Sequence, residues 1–299
     1  MTLVTLGLYE AYADLKAPLM PRRLFKQSRH FTVPMLVMAI TGMQYYSNAT
    51  LWPRLSQLLY ATDEISKGLY SEVLPLGTIL GGIWIMFSKR IGHQRWQIFG
   101  AIAVQTACVG AMSTASITKP IQSIILTVII SMCTSIVILN SLVLVGFGIV
   151  SQNDIGASTG LAGTARLLAG SIAIAIFSSV TTNKYRAELP VKVRSAAASV
   201  NFSGNITRLI TAAGANTAAG YAAVPGINAQ TKAATTLANK QAYLEGAHLS
   251  YQVALAFGLC GCIAALFIPS IDPRKYTSRT VALQDRDRIA IETQKKDLS

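Results

Sequence analysis

The polar side chains that could take part in chemistry are few, and their spacing sets them inside apolar stretches. Thr41, Gln44 and Asn48 recur at helical spacing and so share one face of a helix. Asn140 stands in a second apolar stretch. Arg166 stands in a third, roughly 15 Å from its start at about 1.5 Å per helical residue. Polar groups in such surroundings turn toward a bundle interior or a wet cavity, and an intramembrane charge points to a functional site. Thr41, Gln44 and Asn48 are therefore expected to line a cavity, with hydrogen bonding between helices as the alternative. For Arg166 two roles stand open: a place on a substrate pathway, or a structural one in which it snorkels to headgroups or pairs with a carbonyl. Its expected partners are carbonyl and amide oxygens of neighbouring helices, or a group on a further half of the protein that this chain does not contain.

Bond-breaking chemistry finds no comparable set. His30, His93 and His248 fall in separate connecting segments, and neither a His-Glu-x-x-His motif nor a phosphate-binding loop is present. Residues 156–160 (GASTG) match the G-x-S-x-G nucleophile elbow, but that turn needs a strand before it and a triad acid and histidine after it. Here it opens an apolar helix, and helix packing accounts for the same residues. Cys108, Cys133, Cys260 and Cys262 all lie within apolar stretches, and Cys-Gly-Cys does not match a zinc knuckle. No enzyme activity, metal or cofactor is expected.

The elements that carry these residues are membrane spans. Hydrophobic residues make up 52% of the 299 and charged residues only 13%, and the apolar residues come in blocks long enough to cross a bilayer. The fold class is an all-α polytopic membrane protein. Six spans are expected, at about 32–52, 69–88, 97–115, 121–145, 155–180 and 249–271. Gly77 and Gly81 (beside Gly82) give the second span a close-packing face. Gly156, Gly160, Gly163 and Gly170 do the same for the fifth. Glu72 falls in the first turn of the second span, where it serves as a cap or a proton site. Trp52 and Pro53 mark a membrane interface. Residues 1–9 read as the end of a preceding span, and 10–31 as a basic linker. Residues 181–248 form a long polar loop whose alanine content suggests short surface helices, and 272–299 form a charged tail.

A net charge of +13 raises the question of nucleic acid. The basic residues sit in segments between apolar spans, with no aromatic–basic stripe, so nucleic acid is not an expected partner and the lipid bilayer is. Lys and Arg concentrate in 10–30, 89–97 and the tail, which places these in the cytoplasm and the 181–248 loop outside.

Three stretches carry a family resemblance: LYEAYADLKAPLMPRRLFKQSRHFTVPMLVMAITGMQYYSNATLWPRLSQLLY, IGASTGLAGTARLLAGSIAIAIFSSV and AHLSYQVALAFGLCGCIAALFIPSIDPRKYTSR. Their order is similar to the C-terminal half of a fungal major facilitator superfamily transporter. Within that superfamily it resembles the fourteen-span drug:proton antiporters, and among them the trichothecene efflux pumps. Fungal siderophore transporters share much of the layout. The resemblance implies a six-helix bundle equivalent to one half of the fold, spanning 32–271. It also implies a small organic substrate, protons as coupling ion, and residence in the plasma membrane or, as the alternative, the vacuolar membrane. Partnership with a missing N-terminal half or a second subunit follows from it too. A truncated membrane protein without transport of its own is the competing reading. Lys89 stands where the superfamily's loop signature often carries an acid, which puts any ion pair made by that acid in doubt.

Overall fold

A computed structural model describes residues 25, 28–61, 63–148 and 155–269. The segments expected at 1–9 and 272–299, and most of the 10–31 linker, lie outside the described residues. A π-helical turn, Ser28–Thr32, leads into α1 (Val33–Leu59). There follow α2 (Glu64–Ile91), α3 (Gln94–Met112), α4 (Pro120–Gly148) and α5 (Ile155–Ser199). Two short helices, α6 (Ile206–Ala215) and α7 (Ala218–Ala222), precede α8 (Ala229–Leu266). Among the described residues there is no strand, and the all-α class holds.

α1 is the centre. It packs against α5, α8, α4 and α2, while α3 closes the gap between α4 and α8. Among the described residues, four helices (α2, α4, α5 and α8) are long and apolar enough to cross a membrane. α1 and α3 fall short by composition, because they carry the polar residues: Thr41, Gln44, Ser47 and Asn48 on α1 and Gln105 on α3 are wholly buried. The apolar surface is turned outward instead. Ile79, Leu80, Ile83, Met86 and Phe87 of α2, and Leu167, Leu168 and Ile172 of α5, are exposed, as lipid-facing residues should be.

Helix ends differ from the expectation in instructive ways. α1 runs through Pro53 to Leu59, and Trp52 is fully buried, its indole N–H donating to the Tyr70 carbonyl at 2.7 Å. Trp52 is thus a core anchor and not an interface residue. Proline is tolerated there because it costs one backbone N–H while neighbouring helices hold the element in place. α2 starts at Glu64, with a capping box between Asp63 and Ser66, so Glu72 lies beyond the first turn and is exposed.

The largest correction concerns the segment expected as a loop at 181–248. α5 continues to Ser199 and α8 begins at Ala229, because the alanine-rich flanks favour helix. At about 1.5 Å per residue, α5 is about 67 Å long against a hydrocarbon core of about 30 Å. The projecting parts of α5 and α8 form a cap with α6 and α7. The cap has its own core, in which Leu189 and Val193 meet Leu209, Ala213, Tyr221 and Ala242. Two side chains tie it to the segments below it: Lys240 donates to the Leu59 carbonyl at the end of α1 at 3.0 Å, and His248 Nε2 meets the Ala115 carbonyl at 2.9 Å.

Glycine sets how close the helices come. A Cβ at Gly77 would collide with the Val128 carbonyl oxygen, and one at Gly81 with the Met132 carbonyl oxygen, so α2 and α4 touch backbone to backbone. Gly170 of α5 instead leaves room for a side chain, the Tyr46 ring of α1. Gly156, Gly160 and Gly163 have no described residue within 4 Å of a Cβ.

Two outcomes follow. Gly77→Ala and Gly81→Ala should each cost about 1–3 kcal/mol by overpacking, read as lower thermal stability in detergent, while Gly82→Ala, which faces open space, should be neutral. The acceptor sequons at Asn201 and Asn205 are exposed on the cap, whereas Asn48, also in a sequon, is buried. Expressed in a eukaryotic host, the chain should show an endoglycosidase-sensitive mobility shift, reduced by Asn201→Gln and by Asn205→Gln and untouched by Asn48→Gln. Absence of any shift would put the cap on the cytoplasmic side.

Candidate functional site

The polar row of α1 lies against α3 and α8. Gln44 Nε2 donates to Thr106 Oγ1 at 3.3 Å and to the Ala254 carbonyl at 3.4 Å. One turn on, Asn48 Oδ1 accepts from the Tyr251 hydroxyl at 3.0 Å. Three helices are thereby tied by amides and hydroxyls in the middle of an apolar bundle. Gly258 of α8 makes this possible: a Cβ there would run into Gln44 Nε2 and Thr106 Oγ1. The Gln44 side chain occupies the space that glycine leaves.

This network is only partly closed. Thr41 Oγ1, Gln44 Oε1, Asn48 Nδ2 and both amide atoms of Gln105 are buried with no hydrogen-bond partner among the described residues. Each such group costs on the order of 1–3 kcal/mol, so a row of them along one face of α1 asks for a physical reason.

Arg166 reaches a different flank of α1. Its stem lies on Gly42, where a Cβ would stand 2.7 Å from Cγ. Its guanidinium carbon is 5.6 Å from the ring centroids of both Tyr45 and Tyr46. The two rings meet edge to face, with centroids 5.4 Å apart. The expected oxygen partners are thus replaced by two aromatic faces, an attraction of about 0.5–2 kcal/mol per contact when desolvated. Nε is buried and has no hydrogen-bond partner among the described residues.

Asn140 is not part of either group. Its Oδ1 meets Ser88 Oγ at 2.7 Å, and its Nδ2 donates to the Ile136 carbonyl at 3.0 Å. The same serine hydroxyl meets Gln97 Oε1 at 2.6 Å, and Gln97 Nε2 donates to the Ser88 and Gly92 carbonyls. Asn140 therefore ties α4 to the α2–α3 turn. The structure brings Thr41, Gln44 and Asn48 together, sets Arg166 of α5 against a different flank of α1, and separates Asn140. Thr106, Tyr251, Gly258 and Gly42 are the partners that sequence reasoning missed. A glycine, a lone threonine or a lone tyrosine in an apolar stretch carries no signal until the fold shows what lies opposite it.

Comparison with known proteins gives the following likenesses. A family model described as "Fungal trichothecene efflux pump" matches residues 1–298. The "MFS-type transporter prx5" of Penicillium rubens is 27% identical over 291 residues, covering 95% of this chain and 52% of that protein. The "Trichothecene efflux pump TRI12" of Fusarium sporotrichioides is 28% identical over 280 residues, covering 91% of this chain and 46% of that protein. A protein of the same name from Trichoderma arundinaceum is 27% identical over 198 residues, or 62% of this chain and 32% of that protein. The chain spans about half the length of the first two relatives.

Gly258→Val should expel Gln44 from its seat and cost about 1–3 kcal/mol through overpacking, seen as a lower melting temperature of the detergent-solubilised protein. The double change Gly258→Val with Gln44→Ala should recover part of the loss, since the two side chains contend for one space. Additive losses would show that the space is not shared.

Proposed function

The chain belongs to the fungal trichothecene efflux pump family, and from that membership we propose that it supplies one six-span bundle of a proton-coupled secondary transporter exporting small organic compounds. The observation that carries this reading is the unclosed polar row on α1. Amide donors and acceptors in a dry bundle discriminate strongly between ligands that pair with them and ligands that do not. The row holds both kinds of group and no charge, which suits an uncharged, oxygen-rich organic molecule. Secondary transporters bind near the midplane and rock one bundle against another, so the relatives' additional length would provide the opposing wall.

Proton coupling needs a group that titrates, and Arg166 cannot provide it, because a guanidinium keeps its proton in a protein. The described carboxylates near or on the bundle, Asp63, Glu64 and Glu72, are all exposed. In this reading the proton carrier resides in the opposing bundle. Arg166 serves as a fixed positive charge beside the pathway, oriented by Tyr45 and Tyr46.

The test is export by the assembled transporter. Gln44→Leu should change the ratio of export rates for two substrates by fivefold or more while membrane abundance stays near wild type. Arg166→Ala should lower export more than Arg166→Lys does, because lysine keeps the charge and loses the flat contact with the rings. Unchanged transport in both Arg166 variants would remove Arg166 from the pathway. Unchanged selectivity in Gln44→Leu would remove the α1 row.

A further inference from the structure

Where the cap meets the bundle, α1, α5, α6 and α8 enclose an open cleft with a cavity volume of about 390 Å³. This is within the range of small-molecule sites, about 300–1,000 Å³. It is separate from the α1 polar row, and its occupation does not depend on transport. Two arginines line it, Arg54 from α1 and Arg186 from α5. Both are exposed, and among the described residues neither makes an ion pair or a hydrogen bond. The carboxylates of the cap do not line the cleft and are engaged elsewhere: Glu188 with Lys184 at 2.8 Å and Glu245 with Lys192 at 3.6 Å.

The rest of the lining is amphipathic. Leu51 and Leu58 give it an apolar wall on α1, and the Tyr185 and Tyr243 rings, 6.0 Å apart, stand on the other side. Tyr185 donates its hydroxyl to Asn239 Oδ1 at 2.7 Å, which fixes that amide and leaves its NH₂ as the end available to a ligand. The cleft therefore offers two guanidinium forks, an oriented amide donor and a flat apolar wall, with no negative charge in the lining.

We infer that this cleft binds an organic oxyanion with an apolar body, its charge on Arg54 and Arg186 and its body against Leu51, Leu58 and Tyr243. Arginine forks match the planar geometry of carboxylates and the oxygens of phosphates and sulfonates. Such a ligand has two sources: a solute in the surrounding water, or the headgroup of an acidic lipid, since the cleft opens where the cap leaves the apolar bundle.

The test uses the full chain in phosphatidylcholine nanodiscs, titrated calorimetrically with 1-naphthoate and, as the neutral counterpart, 1-naphthalenemethanol. Saturable binding of naphthoate is expected, weakened about tenfold or more by Arg54→Gln and by Arg186→Gln. Arg54→Lys should restore part of the affinity, and Arg194→Gln, outside the cleft, should change nothing. Circular dichroism checks that each variant keeps its helix content. Replacing the lipid with phosphatidylglycerol separates the sources. A fall in affinity beyond that seen for the double glutamine variant means that headgroups compete for the site; no extra fall means that the ligand arrives from solution. Both results support the assignment. Naphthoate binding that is unsaturable, equal in the glutamine variants, or matched by the neutral alcohol would overturn it.

Discussion

A hydrogen bond between an amide on one helix and a hydroxyl on another has few competitors in a bilayer, and the arrangement of this molecule depends on that scarcity. Gln44 and Asn48 cannot face lipid without loss, so α1 must sit where other helices surround it. α2 and α5 then form part of the outer wall, with large apolar side chains turned outward, while the apolar α4 packs inside with α1. The result departs from the soluble pattern: a row of amides and hydroxyls on α1 is fully enclosed, while large apolar side chains of α2 and α5 are exposed.

Glycine makes the arrangement geometrically possible, in two distinct ways. At Gly77 and Gly81 it lets backbone meet backbone, so α2 and α4 gain dispersion contacts that lipid tails cannot match. At Gly258, Gly42 and Gly170 it vacates space that a particular neighbour fills: Gln44, Arg166 and Tyr46 respectively. The second use is specific to partners. It converts a small residue on one helix into a seat for a long polar or aromatic side chain on another, and so fixes register as well as distance.

Most of the bundle was legible because membrane spans are written in local hydropathy, and the row at Thr41, Gln44 and Asn48 because helical periodicity is local too. What failed was non-local. Trp52 looked like an interface residue because Pro53 follows it, yet its indole pairs with a carbonyl eighteen residues away on α2. Asn140 resembled Gln44 in every sequence property, and only the fold assigns it to the α2–α3 turn. Arg166 invited an oxygen partner, while its two rings lie on a helix far off in the chain. The cap was misread because polarity marks where a helix leaves lipid, not where it ends; alanine carries α5 and α8 well past that boundary.

That continuity between cap and bundle has a mechanical meaning. The projecting parts of α5 and α8 are stiff arms of about 30 Å, joined by the Leu189–Ala242 core and fixed to the segments below by Lys240 and His248. A rigid-body rotation of roughly 15°, of the size seen when domains rock, would sweep the tips of such arms through about 8 Å. Small reorientations inside the bilayer would thus appear, magnified, in water. A macromolecule clamped to the cap would resist the same rotation from the outside, with a lever's advantage and without touching the interior.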